Sequence, residues 1–145
     1  MQKSSVIKKD QVKQGWVLID AANANLGKLA VELSALLIGK RKLTYTTNLF
    51  SGDNVIVINA KDIRVSAKKV TTKVYHRHSG YPGGLSTLSF EQLMRKNPSA
   101  VVRNAVKGMV PKTKIGDEML SHLFVYNDEK NPHEAQKPTT LTFDN

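Results

Sequence analysis

The residues best suited to chemistry in this 145-residue chain are cations, aromatic rings and glycines between positions 68 and 84. They are Lys68, Lys69, Lys73, Tyr75, His76, Arg77, His78, Gly80, Tyr81, Gly83 and Gly84. Cations pair with phosphates, tyrosine and histidine rings stack on exposed bases, and glycines let backbone amides approach a phosphate closely. This cluster therefore predicts contacts to nucleic acid.

Two further cationic groups lie outside this cluster. Lys40, Arg41 and Lys42 follow a predicted helix, where the helix dipole favours cations, but three in a row exceed what capping needs. Lys107, Lys112 and Lys114 form the third group. The net charge of +10 favours a polyanionic partner and exceeds the usual range for solubility, although a basic surface that only keeps the chain soluble is the alternative.

Other chemistry finds little support in the residue pattern. His76 and His78 share a strand face in principle, but the chain has no cysteine and no carboxylate at a matching ligand spacing, so we expect no metal site. No phosphate-binding glycine loop, nucleophile elbow or dinucleotide fingerprint occurs. We therefore expect no catalytic residue, no cofactor and no small-molecule substrate, and no apolar run long enough for a membrane span is present.

Short apolar runs alternate with a segment of helical periodicity, and this pattern predicts the strands and helices that position the cationic groups. Residues 16–20 form a short apolar strand, and the apolar positions of residues 26–37 recur with helical spacing. Asn23 or Asn25 is a suitable cap for this helix and Gly39 a suitable end. A second apolar strand at 55–59 completes a strand–helix–strand unit, which predicts a parallel sheet covered by helices.

The rest of the chain predicts shorter elements. We expect one domain over 1–145, with a basic N-terminal extension at 1–14 and a polar, acidic tail at 128–145 that avoids phosphate. The middle of the chain predicts a basic hairpin with arms at 63–65 and 70–75, followed by a long loop. The remaining predictions are the loop at 76–88, helices at 90–96, 98–110 and 117–123, and a last strand at 123–126.

At these positions the chain resembles the bacterial-type L13 family of large-subunit ribosomal proteins along nearly its full length. The most specific stretch is 105–112, Ala-Val-Lys-Gly-Met-Val-Pro-Lys. The other matching runs are Trp16, 20–21, 26–30, 39–42 with Tyr45, 51–60, Lys73, Tyr75, 78–84, Gly116, 123–126, His133, 135–136 and Pro138.

The resemblance implies a three-layer α/β/α domain around a parallel four-stranded sheet, with a basic extension. It implies a structural constituent of the large ribosomal subunit, in the cytoplasm, that binds large-subunit ribosomal RNA directly and supports early assembly and translation. Neighbouring large-subunit proteins are implied as further partners, and Tyr45 joins the cationic groups as a predicted RNA-binding residue. A free nucleotide-binding enzyme and a DNA-binding module are the competing interpretations, but no zinc finger or basic zipper supports the second.

Four positions depart from the family pattern. Phe50 stands where an acidic residue is common and Asn48 where a histidine is frequent. Asp117 replaces a common basic residue, which puts a phosphate contact at that turn in question. Lys28 in place of arginine keeps the charge and loses the bidentate fork.

Overall fold

The structure, a computed structural model, describes residues 7–142. Its strands are β1 (Trp16–Asp20), β2 (Asn54–Ile58), β3 (Val74–His78), β4 (Leu85–Ser89), β5 (Leu123–Val125) and β6 (Thr139–Leu141). Its helices are α1 (Leu26–Ile38), α2 (Ala67–Thr72), α3 (Phe90–Lys96), α4 (Pro98–Met109) and α5 (Lys114–Ser121). Short 3-10 turns occur at Lys9–Gln11, Ala60–Asp62 and Glu134–Gln136.

A parallel four-stranded sheet in the order β5-β2-β1-β6 forms the centre of the fold. β1 and β2 lie side by side, with Val17 opposite Val55 and Ile19 opposite Val57. Helix α1 connects them, because parallel neighbours need a crossover between the end of one strand and the start of the next. The predicted strand–helix–strand unit and the α/β architecture with a four-stranded parallel sheet flanked by helices are confirmed.

Helix α1 has the ends that the sequence predicts. Of the two candidate caps it is Asn25 that acts, and its Oδ1 accepts a hydrogen bond from the Gly27 amide at 3.0 Å. Gly39 ends the helix in the left-handed conformation, at φ +79°. The stripe that includes Leu29, Leu33 and Leu37 is fully buried in the core that α1 shares with α4 and with one face of the sheet.

The opposite face of the sheet is covered by the C-terminal tail. Successive side chains of a strand alternate between faces, so Trp16 and Phe124 point away from α1. Their rings stack with centroids 5.6 Å apart, and the His133 ring lies 5.2 Å from Trp16. The Tyr126 hydroxyl lies 2.7 Å from His133 Nε2. The tail thus packs against the sheet through His133.

The end of the tail has a role that sequence reasoning missed. Residues 139–141 form β6 and pair in parallel with β1, with Val17 opposite Thr139. The sheet therefore gains its fourth strand from the segment that was predicted only as a polar, acidic tail. Residues 1–6 of the predicted N-terminal extension and 143–145 of the predicted tail lie outside the described residues.

The predicted basic hairpin was wrong in its position, and so was the predicted long loop. Residues 67–72 form the helix α2, in which the Thr71 and Thr72 hydroxyls donate to the Lys68 carbonyl at 3.1 and 2.7 Å. The hairpin lies further on, where β3 and β4 pair in antiparallel register across residues 74–89. Glycines are confined to its tip, since the flanking residues on both sides form strands.

Capping residues predicted the next helices well. Ser89 and Gln92 form the expected capping box at α3, and Asn97 caps α4 with Pro98 as its first residue. Helix α5 begins at Lys114 rather than at residue 117, because the Thr113 hydroxyl caps it by accepting from the Gly116 amide at 3.3 Å.

Gly52 offers a test of the packing between α1 and β2. A Cβ at this position would lie 1.8 Å from the Leu37 carbonyl oxygen, so the backbone would have to move. We expect Gly52→Ala to lower the free energy of unfolding by about 1–3 kcal/mol, as for other overpacked sites. Urea denaturation of Gly52→Ala beside Gly27→Ala measures this, because a Cβ at Gly27 meets only Asn25 Oδ1, at an ordinary 3.5 Å. Equal stability of the two variants would contradict this packing.

Candidate nucleic-acid interface

The predicted cations divide by exposure into two groups. Lys42 and Lys73 are half-buried, and both contact other groups of the protein. The exposed group comprises Lys40, Arg41, Lys68, Lys69, Arg77, Lys107, Lys112 and Lys114. These side chains extend into solvent from elements whose apolar residues are anchored in the core, which is the arrangement that lets long cations reach a phosphate backbone.

One groove lies between part of the 68–84 patch and the end of α4. It is lined by Lys69 and Lys73 from the patch and by Ala105, Gly108 and Met109 from α4. Lys107 is exposed on the same turn of α4. Asn25 and Gly27, at the start of α1, also line the groove. The fold thus places Lys69 and Lys73 on one concave surface, with Lys107 exposed on the adjoining turn of α4.

The Lys40–Lys42 patch lies at the other end of α1. The 13 residues of this helix separate it from the groove by about 20 Å, at roughly 1.5 Å per residue. Arg41 pairs with Glu32 on α1. Lys42 donates to Asp53 at 2.5 Å and to the Lys13 carbonyl at 2.9 Å. Lys42 therefore joins the end of α1, the start of β2 and the N-terminal segment, which leaves Lys40 and Arg41 as the exposed cations of this patch.

The hairpin presents two different faces. Strand register places Val74, His76 and His78 on one face with Leu85 and Thr87, and this face is exposed and carries no lysine or arginine. His76 Nδ1 lies 3.1 Å from the Thr87 hydroxyl. The opposite face carries Tyr75, Arg77, Ser86 and Leu88, so Arg77 supplies its positive charge.

Two predicted tyrosines in the hairpin have different environments. Tyr75 packs against the core, Lys73 Nζ lies 5.4 Å from its ring centroid, and burial raises the pKa of its phenol. The Tyr75 ring therefore makes contacts within the protein, which makes it less available than Tyr81 for stacking on a base. Tyr81 at the hairpin tip is 76% exposed, so its ring is free to stack on a base.

Turn geometry explains the glycines of the hairpin tip. Gly80 and Gly83 have φ of +89° and +69°, which non-glycine residues rarely adopt, and the Gly80 amide donates to His78 Nδ1 at 2.9 Å. A Cβ at Gly84 would lie 2.1 Å from the Ser79 hydroxyl oxygen. The tip itself requires these glycines, whether or not RNA approaches them.

Two of the four departures from the family pattern, Phe50 and Asp117, have local explanations. Phe50 is buried and stacks on His122 at 4.4 Å between centroids, so it serves packing. Asp117 lies in the first turn of α5, where the helix dipole favours an acid. Asn48 is exposed and lines a groove with Phe50 and Ile115. Lys28 is exposed on the first turn of α1.

Sequence reasoning missed the uncharged residues that line the groove beside Lys69 and Lys73. Asn25, Ser66, Gly108 and Met109 line it although they lie far apart in the chain. No local pattern marks Asn25 and Ser66 beyond helix capping. Gly108 was detectable, since a glycine inside a helix is unfavourable and so needs a reason.

Within residues 7–142 no group of three or more His, Cys, Asp or Glu residues is arranged to hold a metal ion. The same residues contain no helix that is long and apolar enough to cross a membrane.

Comparisons with known proteins agree on one family. The family model described as ribosomal protein L13 matches residues 14–132. The large ribosomal subunit protein uL13 of Gloeothece citriformis is 47% identical over 142 residues, which cover 98% of this chain and 94% of that protein. The protein of the same name from Petrotoga mobilis is 45% identical over 145 residues, covering 100% and 96%.

Lys40 and Lys42 are close in sequence and identical in type but differ in their contacts, which makes them a matched pair. Lys42→Ala leaves the Asp53 carboxylate, whose side chain is only 15% exposed, without its cation. We expect this to lower the free energy of unfolding by about 1–3 kcal/mol. Lys40→Ala, on an exposed side chain, should change it by less than about 0.5 kcal/mol. Chemical denaturation measures the free energy of unfolding of both variants. A Lys42→Ala variant as stable as the parent would show that the ion pair between Lys42 and Asp53 does not stabilise the fold.

Proposed function

The chain belongs to the ribosomal protein L13 family, and from this premise we propose that it is a structural constituent of the large ribosomal subunit that binds the large ribosomal RNA directly. The full-length similarity, 45–47% identity to bacterial relatives named as large-subunit proteins, supports this assignment. Its place is therefore on the large subunit of a bacterial-type ribosome, in the cytoplasm, with neighbouring large-subunit proteins as further partners.

The observation that carries the proposal is the grouping of exposed cations around a rigid α/β core. A net charge of +10 attracts RNA, and long side chains on helix ends and on a hairpin reach phosphates without disturbing the core. RNA segments repel one another where their phosphates converge. A folded cationic body placed between them lowers that repulsion, which is the physical basis for a role early in assembly and in translation.

The predicted RNA-binding residues then act in two ways. Exposed cations contact phosphate, and the exposed Tyr81 and Tyr45 rings stack on bases. Half-buried Lys42 and Tyr75 hold these elements in position, and Lys73 lines the groove with its ammonium group near the Tyr75 ring. The role is structural and includes no catalytic step.

Sedimentation tests the assignment directly. We expect the native protein to co-migrate with large subunits on a sucrose gradient of lysate, and to leave them only at high salt, because counterion release makes its contacts salt-sensitive. An unrelated basic protein of similar size, added at the same concentration, controls for non-specific adhesion. A protein that stays at the top of the gradient at physiological salt would overturn the proposal.

The salt dependence of binding tests which cations contact RNA. Removing one lysine that contacts a phosphate should reduce the slope of log K against log salt by about 0.7–0.9. We expect the double variant Lys40→Ala, Lys107→Ala to show this reduction twice. The double variant Lys130→Ala, Lys137→Ala removes the same charge from the acidic tail and should leave the slope unchanged. Filter binding to transcribed large-subunit RNA measures both, and equal slopes for the two variants would mean that net charge alone drives binding.

A further inference from the structure

The groove between α1, α2 and α4 is a concave site with an apolar floor. Its volume is about 370 Å³, which lies within the size range of small-ligand pockets. Leu26, Val65, Ala105 and Met109 provide the floor, and Met109 is 42% exposed although it is a large apolar side chain. This floor is a surface on which something flat and apolar would be shielded from water.

Gly108 indicates that an outside molecule comes close to this surface. It is the last but one residue of α4, where a glycine still favours the helix less than alanine does, and its φ is not positive. Apart from its chain neighbours and the backbone of its own helix, a Cβ added at Gly108 would meet no atom of the described residues within 4 Å, so packing against other elements does not require a glycine there. By contrast, Gly52 and Gly84 are required by close contacts within the chain. Close approach by an outside molecule accounts for the missing side chain at Gly108.

Polar groups at the rim indicate what that molecule is. Lys69 and Lys73 supply positive charge on one side of the groove. Ser66, the residue before α2, makes no capping hydrogen bond with its side chain, so its hydroxyl is available to a ligand. Asn25 uses its Oδ1 to cap α1, which leaves its amide nitrogen as a donor. An apolar floor beside two cations and neutral hydrogen-bonding groups matches the flat base and the phosphate of a nucleotide.

We propose that this groove holds a single unstacked nucleotide of the bound RNA, with its base on the apolar floor beside Gly108 and Met109 and its phosphate at Lys69 and Lys73. The proposal rests on the proposed function and adds to it a defined subsite. An RNA duplex is too wide to enter a groove of this size, whereas a base extruded from a loop or bulge fits. The two lysines favour RNA over a protein side chain as the occupant.

The test uses substitutions that fill the groove without changing charge. Gly108→Ala adds one methyl group and Gly108→Leu fills much of the space above Met109. Asn104→Leu is the matched control, since Asn104 is exposed on the same helix but does not line the groove. Each variant is compared with the parent in thermal melting, in binding to transcribed large-subunit ribosomal RNA, and in chemical probing of the RNA bases.

We expect both Gly108 variants to melt at or above the temperature of the parent, since alanine and leucine are better helix formers than glycine. Gly108→Leu should nevertheless bind at least about tenfold more weakly, which is the effect of removing one stacked base, and Gly108→Ala should be weakened less. Asn104→Leu should bind like the parent. One nucleotide should change its reactivity in the complex with the parent and return to its free-RNA reactivity with Gly108→Leu.

Other outcomes overturn the proposal. Parent-like affinity of the Gly108 variants shows that no nucleotide enters the groove, and if those variants then fail to join assembled subunits, a neighbouring protein occupies it. Equal weakening by Gly108→Leu and Asn104→Leu shows a general contact along α4. If Gly108→Leu melts below the control, only the RNA affinity of Gly108→Ala is used for the test. An RNA affinity of Gly108→Ala equal to that of the parent then rejects the proposal that a nucleotide occupies the groove. A parent protein that does not bind the RNA refutes the proposed function itself.

Discussion

The burial of α1 against the parallel sheet and against α4 is the constraint on which the rest of the structure depends. Its apolar stripe, including the fully buried Leu29, Leu33 and Leu37, fixes the helix in position and in rotation. Both of its ends are then fixed as well. Asn25 and Gly27 at the start of α1 line the groove, and its end is followed by the exposed Lys40 and Arg41. A rigid rod of 13 residues therefore sets the spacing between two cationic regions, which is what a protein that fits folded RNA needs.

Charged residues of one type serve different purposes in this chain, and only the fold separates them. Lys42 is a structural tie to Asp53, while Lys40, two residues earlier, is exposed. Tyr75 and Tyr81 differ in the same way, since one ring is packed and the other projects from the hairpin tip. Composition and motif predict that such residues meet RNA as a group. They do not predict which members hold the group in place, because that depends on contacts between distant segments.

Local signals in the sequence predicted the elements that depend on local physics. The apolar periodicity of α1, its Asn25 cap, and the Ser89–Gln92 capping box all act within a few residues, so the pattern is sufficient. Helix α2 was missed because its six residues are too few to show a period and include the β-branched Val70, Thr71 and Thr72, which favour strands. Strand β6 was missed because its side chains are exposed, so no apolar alternation marks it. The groove was missed because three separate segments form it.

Two glycines of this protein show how a glycine needed for internal packing differs from one that leaves room for an outside molecule. At Gly52 the chain needs the missing side chain, because a carbonyl oxygen occupies the space that a Cβ would take. At Gly108 the same absence weakens a helix and relieves no contact in the described chain. A residue that lowers stability without an internal benefit is most simply explained by a contact made outside the chain. Since Gly108 lines the groove together with Lys69 and Lys73, our proposal assigns that contact to RNA.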